Sequence, residues 1–183
     1  MPLKLITPPE VYPITEAQVQ WHLKLTDAEV SACTDTLARL IEDATAFAED
    51  FTWRALITQT WDYYMDAWPD ERYIYVPRPK LQSVTGVFYT PDGEAEEEFD
   101  EYTTDIVSEP GRIVLNRNES WPTDTLEPAN GIRIRFVAGY GDAAEDVPIR
   151  IVQAMLLHTQ NYDGTAPMST IESILDNYRV VRL

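Results

Sequence analysis

"RFVAGYGDAAEDVP", residues 135–148, joins two different sequence periods. Before it, "GIRIRFVAGY" sets Ile132, Ile134 and Phe136 against Arg133, Arg135 and Val137, the two-residue alternation of a strand with one buried face. After it, "VPIRIVQAMLLHTQNYDG" carries Ile149, Ile151, Val152, Met155, Leu156 and Leu157. Those residues predict a helix that is apolar over much of its circumference and nearly central to a bundle. Pro148 falls in its first turn, where a missing N–H costs nothing, and Gly164 lies near its end. Between the two periods stand Gly139 and Gly141. A phosphate cradle needs helix N-terminal N–H groups free of competing anions. Here Asp142, Glu145 and Asp146 already occupy the positive end of the helix dipole. No Lys or Ser/Thr stands in P-loop register, and no third glycine completes a dinucleotide fingerprint. The two glycines therefore read as a hinge from sheet to helix.

The segments on either side follow the same division. Thr15 with Gln18 and Thr26 with Glu29 form two capping-box patterns, each opening a helix. The second helix is expected to run unbroken over about 27–53. Its stripe is Val30, Cys33, Leu37, Leu40, Ile41, Ala44, Phe47, Ala48 and Phe51, at three- and four-residue steps. From about residue 57 the period becomes two. In "TQTWDYYMDAW", Gln59, Trp61, Tyr63 and Met65 share one face, and Thr60, Asp62, Tyr64 and Asp66 the other. "RYIYVP", "LQSVTGVFYT", "EYTTDIV" and "GRIVL" read as further short strands, with Pro91-Asp92-Gly93 as a turn. "MSTIESILDN" is a last amphipathic helix. Helices, then strands, then helices make an α+β fold: a helical bundle from the N- and C-terminal helices with an inserted small antiparallel β-sheet or barrel. The expected layout is an extended, proline-rich N-terminal arm at 1–13, a helical core from 14–56 and 142–178, a β insertion at 57–141, and a C-terminal docking tail at 179–183.

Composition narrows the function. Hydrophobic residues at 44% and charged residues at 25% are those of a chain that folds on its own core. Cys33 is the only cysteine, which excludes a disulfide framework and a thiolate metal cluster. The N-terminus lacks the basic start and apolar run of a signal peptide. No stretch approaches the ~20 apolar residues that span a bilayer, so no membrane association is expected. The formal net charge is −17, spread over the whole chain. Such a surface repels phosphate backbones and argues against duplex binding through counterion release. It remains compatible with DNA as a neighbour that must pass without sticking.

Catalytic constellations are sparse. His22, His158 and Cys33 lack the spacings of a zinc site and read as ordinary bundle or surface residues. No serine sits in a nucleophile elbow. Asp62 and Asp66, beside Trp61, Tyr63, Tyr64 and Trp68, are the candidates for a glycosidase-like carboxylate pair with a sugar platform. Strand alternation sets Trp61 and Tyr63 opposite both aspartates, however, and an aromatic stripe of period two reads as sheet core. The run "DGEAEEEFDEY" is most simply a solvated hairpin tip. Its functional reading makes Glu96, Glu97, Glu98, Asp100 and Glu101 an acidic lumen or a subunit-facing edge. No cofactor and no metal are expected.

Taken in order, "TQTWDYYMDAWP", "VPRPKLQSVTGVFYTPDG", "EYTTDIVSEPGRIVLNRNESWP", "NGIRIRFVAGYGDAAEDVPIRIVQAMLLHTQNYDG" and "LDNYRVVRL" resemble the head–tail connector (adaptor) proteins of tailed double-stranded DNA phages. Relatives of these occur in prophages and gene transfer agents. The resemblance runs from about residue 14 to the C-terminus and lies in the order of the blocks. It implies a non-enzymatic virion subunit, made in the host bacterial cytoplasm, that forms a homo-oligomeric ring, dodecameric in the virion. Such a ring docks under the portal protein, carries stopper or tail-terminating proteins, and lets DNA pass without specific binding. Tyr178, Arg179, Val180, Val181, Arg182 and Leu183 are the candidate portal-docking residues. Two alternatives stand beside this reading: a carboxylate-dependent hydrolase, and another ring component such as a tail terminator or stopper.

Overall fold

The structure, a computed structural model, describes residues 2–161 and 168–180. The chain divides into a sheet unit of residues 2–8 and 58–139 and a helical unit of residues 9–57 and 140–180.

In the sheet unit five strands form an antiparallel sheet. They are β1 (Leu3–Thr7), β2 (Gln59–Met65), β4 (Leu81–Tyr89), β5 (Glu97–Glu98) and β8 (Ile132–Ala138), in the order β1-β2-β8-β4-β5. A second, three-stranded sheet sets β7 (Arg112–Leu115) between β3 (Tyr73–Tyr75) and β6 (Tyr102–Asp105). No barrel closes among the described residues; the fold is α+β with open sheets. β8 is central because it alternates as expected. Ile132, Ile134 and Phe136 are fully buried, while Arg133, Arg135 and Val137 are half-buried on the other face. β4 pairs with β8 through two register shifts, at Leu81/Ser83 and Val84/Gly86. Gly86 sits at the second, where a Cβ would meet the Phe88 ring and force it to move. The stretch expected as an extended arm contains β1, which pairs with β2 as Leu3 with Tyr63 and Leu5 with Trp61.

The helical unit holds α1 (Glu16–Leu23), α2 (Asp27–Ala32), α3 (Thr34–Thr52), α4 (Ile149–Gln160) and α5 (Met168–Leu175). Both capping boxes form. Thr15 Oγ1 accepts from the Gln18 N–H at 3.2 Å, and Gln18 Oε1 from the Thr15 N–H at 2.8 Å. Thr26 and Glu29 repeat the pattern, and the hydrogen bonds from Thr26 hold the Glu29 carboxyl below its ordinary pKa.

The unbroken helix expected over 27–53 is in fact two. The break is at Cys33, whose φ of −133° and ψ of 28° leave the helical region. Three side chains there turn back on the helix. Ser31 Oγ donates to the Asp27 carbonyl at 2.8 Å, Cys33 Sγ to Glu29 at 2.9 Å, and Thr34 Oγ1 to Val30 at 3.2 Å. Side-chain groups that compete for i−4 carbonyls bend and interrupt helices. The apolar stripe survives the break. Leu37, Ile41, Ala44 and Ala48 are buried with Ile14, Val19, Leu56, Ile57, Ile151, Met155, Ile171 and Leu175, and Val30, Cys33, Leu40, Phe47 and Phe51 pack against them.

α4 is less central than its composition suggests. Ile151, Val152, Ala154 and Met155 are buried, but Ile149 is 67% exposed in the first turn. Pro148 stands just ahead of that turn as the N-cap, with its carbonyl accepting from Ile151 at 2.8 Å.

Candidate functional site

At the junction, Gly139 ends the sheet unit with φ 142°, a conformation that disfavours any side chain. Its N–H donates to the Lys80 carbonyl at 2.9 Å, and its own carbonyl accepts from Gln82 Nε2 at 3.1 Å. Gly141 is required for a different reason: a Cβ there would overlap the Asp146 carboxylate. That carboxylate accepts from the Ala143 N–H at 3.0 Å at the start of the 3-10 turn Ala144–Asp146. Asp146 thus takes a donor that a bound phosphate would need, and the turn is not a nucleotide cradle.

The two candidate catalytic aspartates are both committed to the sheet unit. Asp62 is only 2% exposed. Arg135 holds it with two parallel bonds, Nε to Oδ1 at 2.7 Å and Nη2 to Oδ2 at 2.8 Å. Arg133 stands 3.8 Å away and reaches Glu96 with Nε to Oε1 at 2.8 Å and Nη2 to Oε2 at 2.5 Å. Its guanidinium also lies 4.2 Å from the centroid of the Phe88 ring. The hydrogen bonds from Arg135 and Arg133 hold the carboxyls of Asp62 and Glu96, respectively, below their usual range. A carboxylate so held stays ionised and cannot serve as a general acid. Asp66 Oδ1 accepts from the Asn130 N–H at 2.7 Å and so pins a loop. Of the would-be sugar platform, Trp68 stacks on Trp121 at 4.9 Å and packs with Phe99 and Tyr89.

The acidic run divides by role. Glu96 belongs to the arginine network just described. Glu97 accepts from the Tyr89 hydroxyl at 2.7 Å, and that bond pushes the Tyr89 pKa up to about 12. Phe99 is buried. Glu98, Asp100 and Glu101 are exposed and present carboxylates outward. Sequence alternation marked Arg133 and Arg135 as one face but could not name their partners, which lie 37 and 73 residues away.

In the helical unit the histidines and the cysteine are not brought together as ligands. His158 stacks on Phe47 at 4.4 Å and faces Asp43 at 3.6 Å, and its burial lowers its pKa. The Cys33 thiol is turned to the Glu29 carbonyl. Among the described residues, no group of three or more His, Cys, Asp or Glu side chains is placed to hold a metal ion, and no helix is long and apolar enough to cross a membrane.

The candidate tail is described as far as Val180; Val181, Arg182 and Leu183 lie outside the described residues. Its first residues lie along the C-terminal end of α3. The Tyr178 carbonyl accepts from Arg54 Nε at 2.6 Å, the Val180 N–H donates to the Thr52 carbonyl at 3.0 Å, and Arg179 sits 5.4 Å from the Phe51 ring centroid.

Exposed apolar side chains stand on the described surface. Trp21 at the end of α1 is 82% exposed, and Val107 in the β6–β7 turn is 89% exposed. That turn is locked, because Asp105 accepts from the Val107 and Ser108 N–H groups, the Ser108 hydroxyl and Arg112. The Ser108 hydroxyl and Arg112 bonds, the largest causes, hold the Asp105 carboxyl far below its usual pKa.

No family model and no curated protein matches the chain. Solved structures do. A chain from the neck of an empty gene transfer agent particle computed with C6 symmetry superimposes with a TM-score of 0.80 at 21% identity, covering 100% of this chain and 97% of that one. A chain from the virion of a native gene transfer agent particle gives 0.79 at 22% identity with the same coverage. One from the neck of a native particle computed with C12 symmetry gives 0.72 at 21%. The fold is therefore shared over its full length with neck and virion chains of gene transfer agent particles.

Proposed function

We propose that this chain is a non-enzymatic structural subunit of a head–tail connector ring, seated under the portal of a phage or phage-like particle, with DNA passing through the ring. The observation that carries the reading is the full-length match to a neck chain at TM-score 0.80. The symmetry of the particles from which two matching chains come supports a homo-oligomeric ring, and their source supports location in a virion; synthesis in the host bacterial cytoplasm is part of the same proposal. A net charge of −17 suits a channel wall along which DNA slides, since a phosphate meets few immobile cations there. The commitment of Asp62 and Asp66 to structural bonds disfavours the glycosidase alternative, and the helices before and after the main run of strands disfavour a mostly β stopper or terminator. Glu98, Asp100 and Glu101 are the proposed lumen or subunit-facing carboxylates, Gly139 and Gly141 the hinge, and the tail from Tyr178 to Leu183 the portal contact.

Electron microscopy of the chain mixed with its portal tests the reading. Rings stacked coaxially on the portal support it; turnover of a substrate that disappears with Asp62→Asn would replace it. The tail is tested by deleting residues 181–183, which spares the Tyr178 carbonyl bonded by Arg54. The shortened chain is expected to fold normally and to lose co-sedimentation with portal.

A further inference from the structure

The two ends of α1 carry complementary surfaces. Beside its N-terminus lies an open cavity of about 450 Å³, within the size range of ligand and side-chain pockets. Val11, Tyr12, Ile14, Ala38 and Ile41 wall it. Its rim is carboxylate: Glu16 on α1, and Asp142 and Glu145 from the segment after the junction. At the C-terminus of the same helix, Trp21 stands 82% exposed, one turn from exposed Lys24, whose left-handed backbone (φ 57°) ends the helix. The acidic groups near this knob are engaged locally. Asp27 accepts from Gln20 Nε2 at 2.8 Å, and Glu29 is closed into its capping box with Thr26.

We infer that Trp21 and Lys24 of one copy dock into the groove of the next, the indole against the apolar wall and the ammonium against Glu16, Asp142 and Glu145. The inference rests on the ring reading and names its contact. Charge selects the occupant: a groove whose charged lining residues are all carboxylates, in a chain with 14 basic against 31 acidic residues, favours an apolar group that brings a cation with it. The Trp21–Lys24 pair is such a group, on this chain's own surface. A tryptophan seated in a desolvated pocket is the commonest kind of interface hot spot. Knob and groove sit at opposite ends of an eight-residue helix, about 12 Å long, so one copy can offer its knob to one neighbour and its groove to the next. In the ring this reading assumes, the contact repeats head-to-tail.

The test places p-benzoyl-phenylalanine at position 21, which keeps an aromatic knob, in isotopically light full-length chains mixed with heavy ones and with portal. Illumination is expected to join light to heavy chains, with the attachment at Val11, Tyr12, Ala38 or Ile41. Trp21→Ala is expected to lower the association constant on the order of tenfold or more. Lys24→Glu is expected to weaken assembly and the added Glu145→Lys to restore it, a rescue that a misfolded variant would not show. Rings that form normally with Trp21→Ala, or cross-links confined to other surfaces, overturn the inference and leave the ring reading standing. Attachment to portal makes portal the occupant and overturns it likewise. Absence of any ring, with portal present, removes both.

Discussion

The helical unit and the sheet unit are held together by different physics. In the helical unit the interior is mainly apolar, from Leu37 and Ile41 to Met155 and Leu175, and its buried threonines Thr45, Thr52 and Thr159 bond back to carbonyls of their own helices. In the sheet unit the central strand β8 is dry on one face and ionic on the other, where Arg133 and Arg135 bind Glu96 and Asp62 across strands. Apolar contact asks only for shape and volume, and it tolerates salt and pH. A bidentate arginine–carboxylate pair asks for fixed register and an ionised acid. The same chain therefore carries one region that is less sensitive to salt and pH and one that is more so.

The sharpest way to break that contrast is to damage each region by its own means. Ile151→Ala empties volume in the helical core and is expected to cost about 3 kcal/mol, read as a lower urea midpoint that is nearly independent of salt. Asp62→Asn leaves Arg135 without its counter-ion and is expected to cost about 2 kcal/mol, read in the fluorescence of Trp61, Trp68 and Trp121. In the wild type, the contribution of Asp62 and Glu96 is expected to be complete above their unfolded pKa values of about 4–4.5. It is then lost as pH falls through their lowered folded values. Acid melts followed by those tryptophans check this, and a sheet that melts at the same temperature at pH 3 and pH 7 would remove the contrast. Gly139→Ala places a side chain at φ 142° and is expected to cost about 1–2 kcal/mol, measured by thermal melting.

The smallest effect falls inside the dry region. His158 is partly buried with a lowered pKa, so the unfolded chain takes up its proton first as pH falls. Stability is expected to be full above the unfolded value of about 6.5 and to decline below it. His158→Gln is expected to flatten that slope, seen in melts between pH 5 and 7.

What the sequence reveals differs between the two regions in the same way. Apolar periodicity exposes the stripe of α3 and the alternation of β8, because a single buried face imprints its period on the chain. The break at Cys33 leaves no such imprint, since Ser31, Cys33 and Thr34 act through hydrogen bonds and not through hydrophobicity. The pairing of Asp62 with Arg135 depends on the register of β2 against β8. No local pattern encodes that register. The strand at Leu3–Thr7 is hidden between prolines and is defined by a partner more than fifty residues away. For a chain of this kind the candidate site is a set of surfaces, and surfaces such as the groove beside α1 are assembled from segments that only folding brings together.

One consequence follows from how β1, β2 and β8 lie side by side. Among the described residues the backbone passes between the two units at 8/9, 57/58 and 139/140, and these passages leave from the matching ends of three adjacent strands. A single protease nick in a loop of either unit therefore liberates nothing. Excising 58–139 as an independent fragment would strip away β1 and leave the amides of β2 as a raw border, so such a fragment should clump unless residues 2–8 are grafted back.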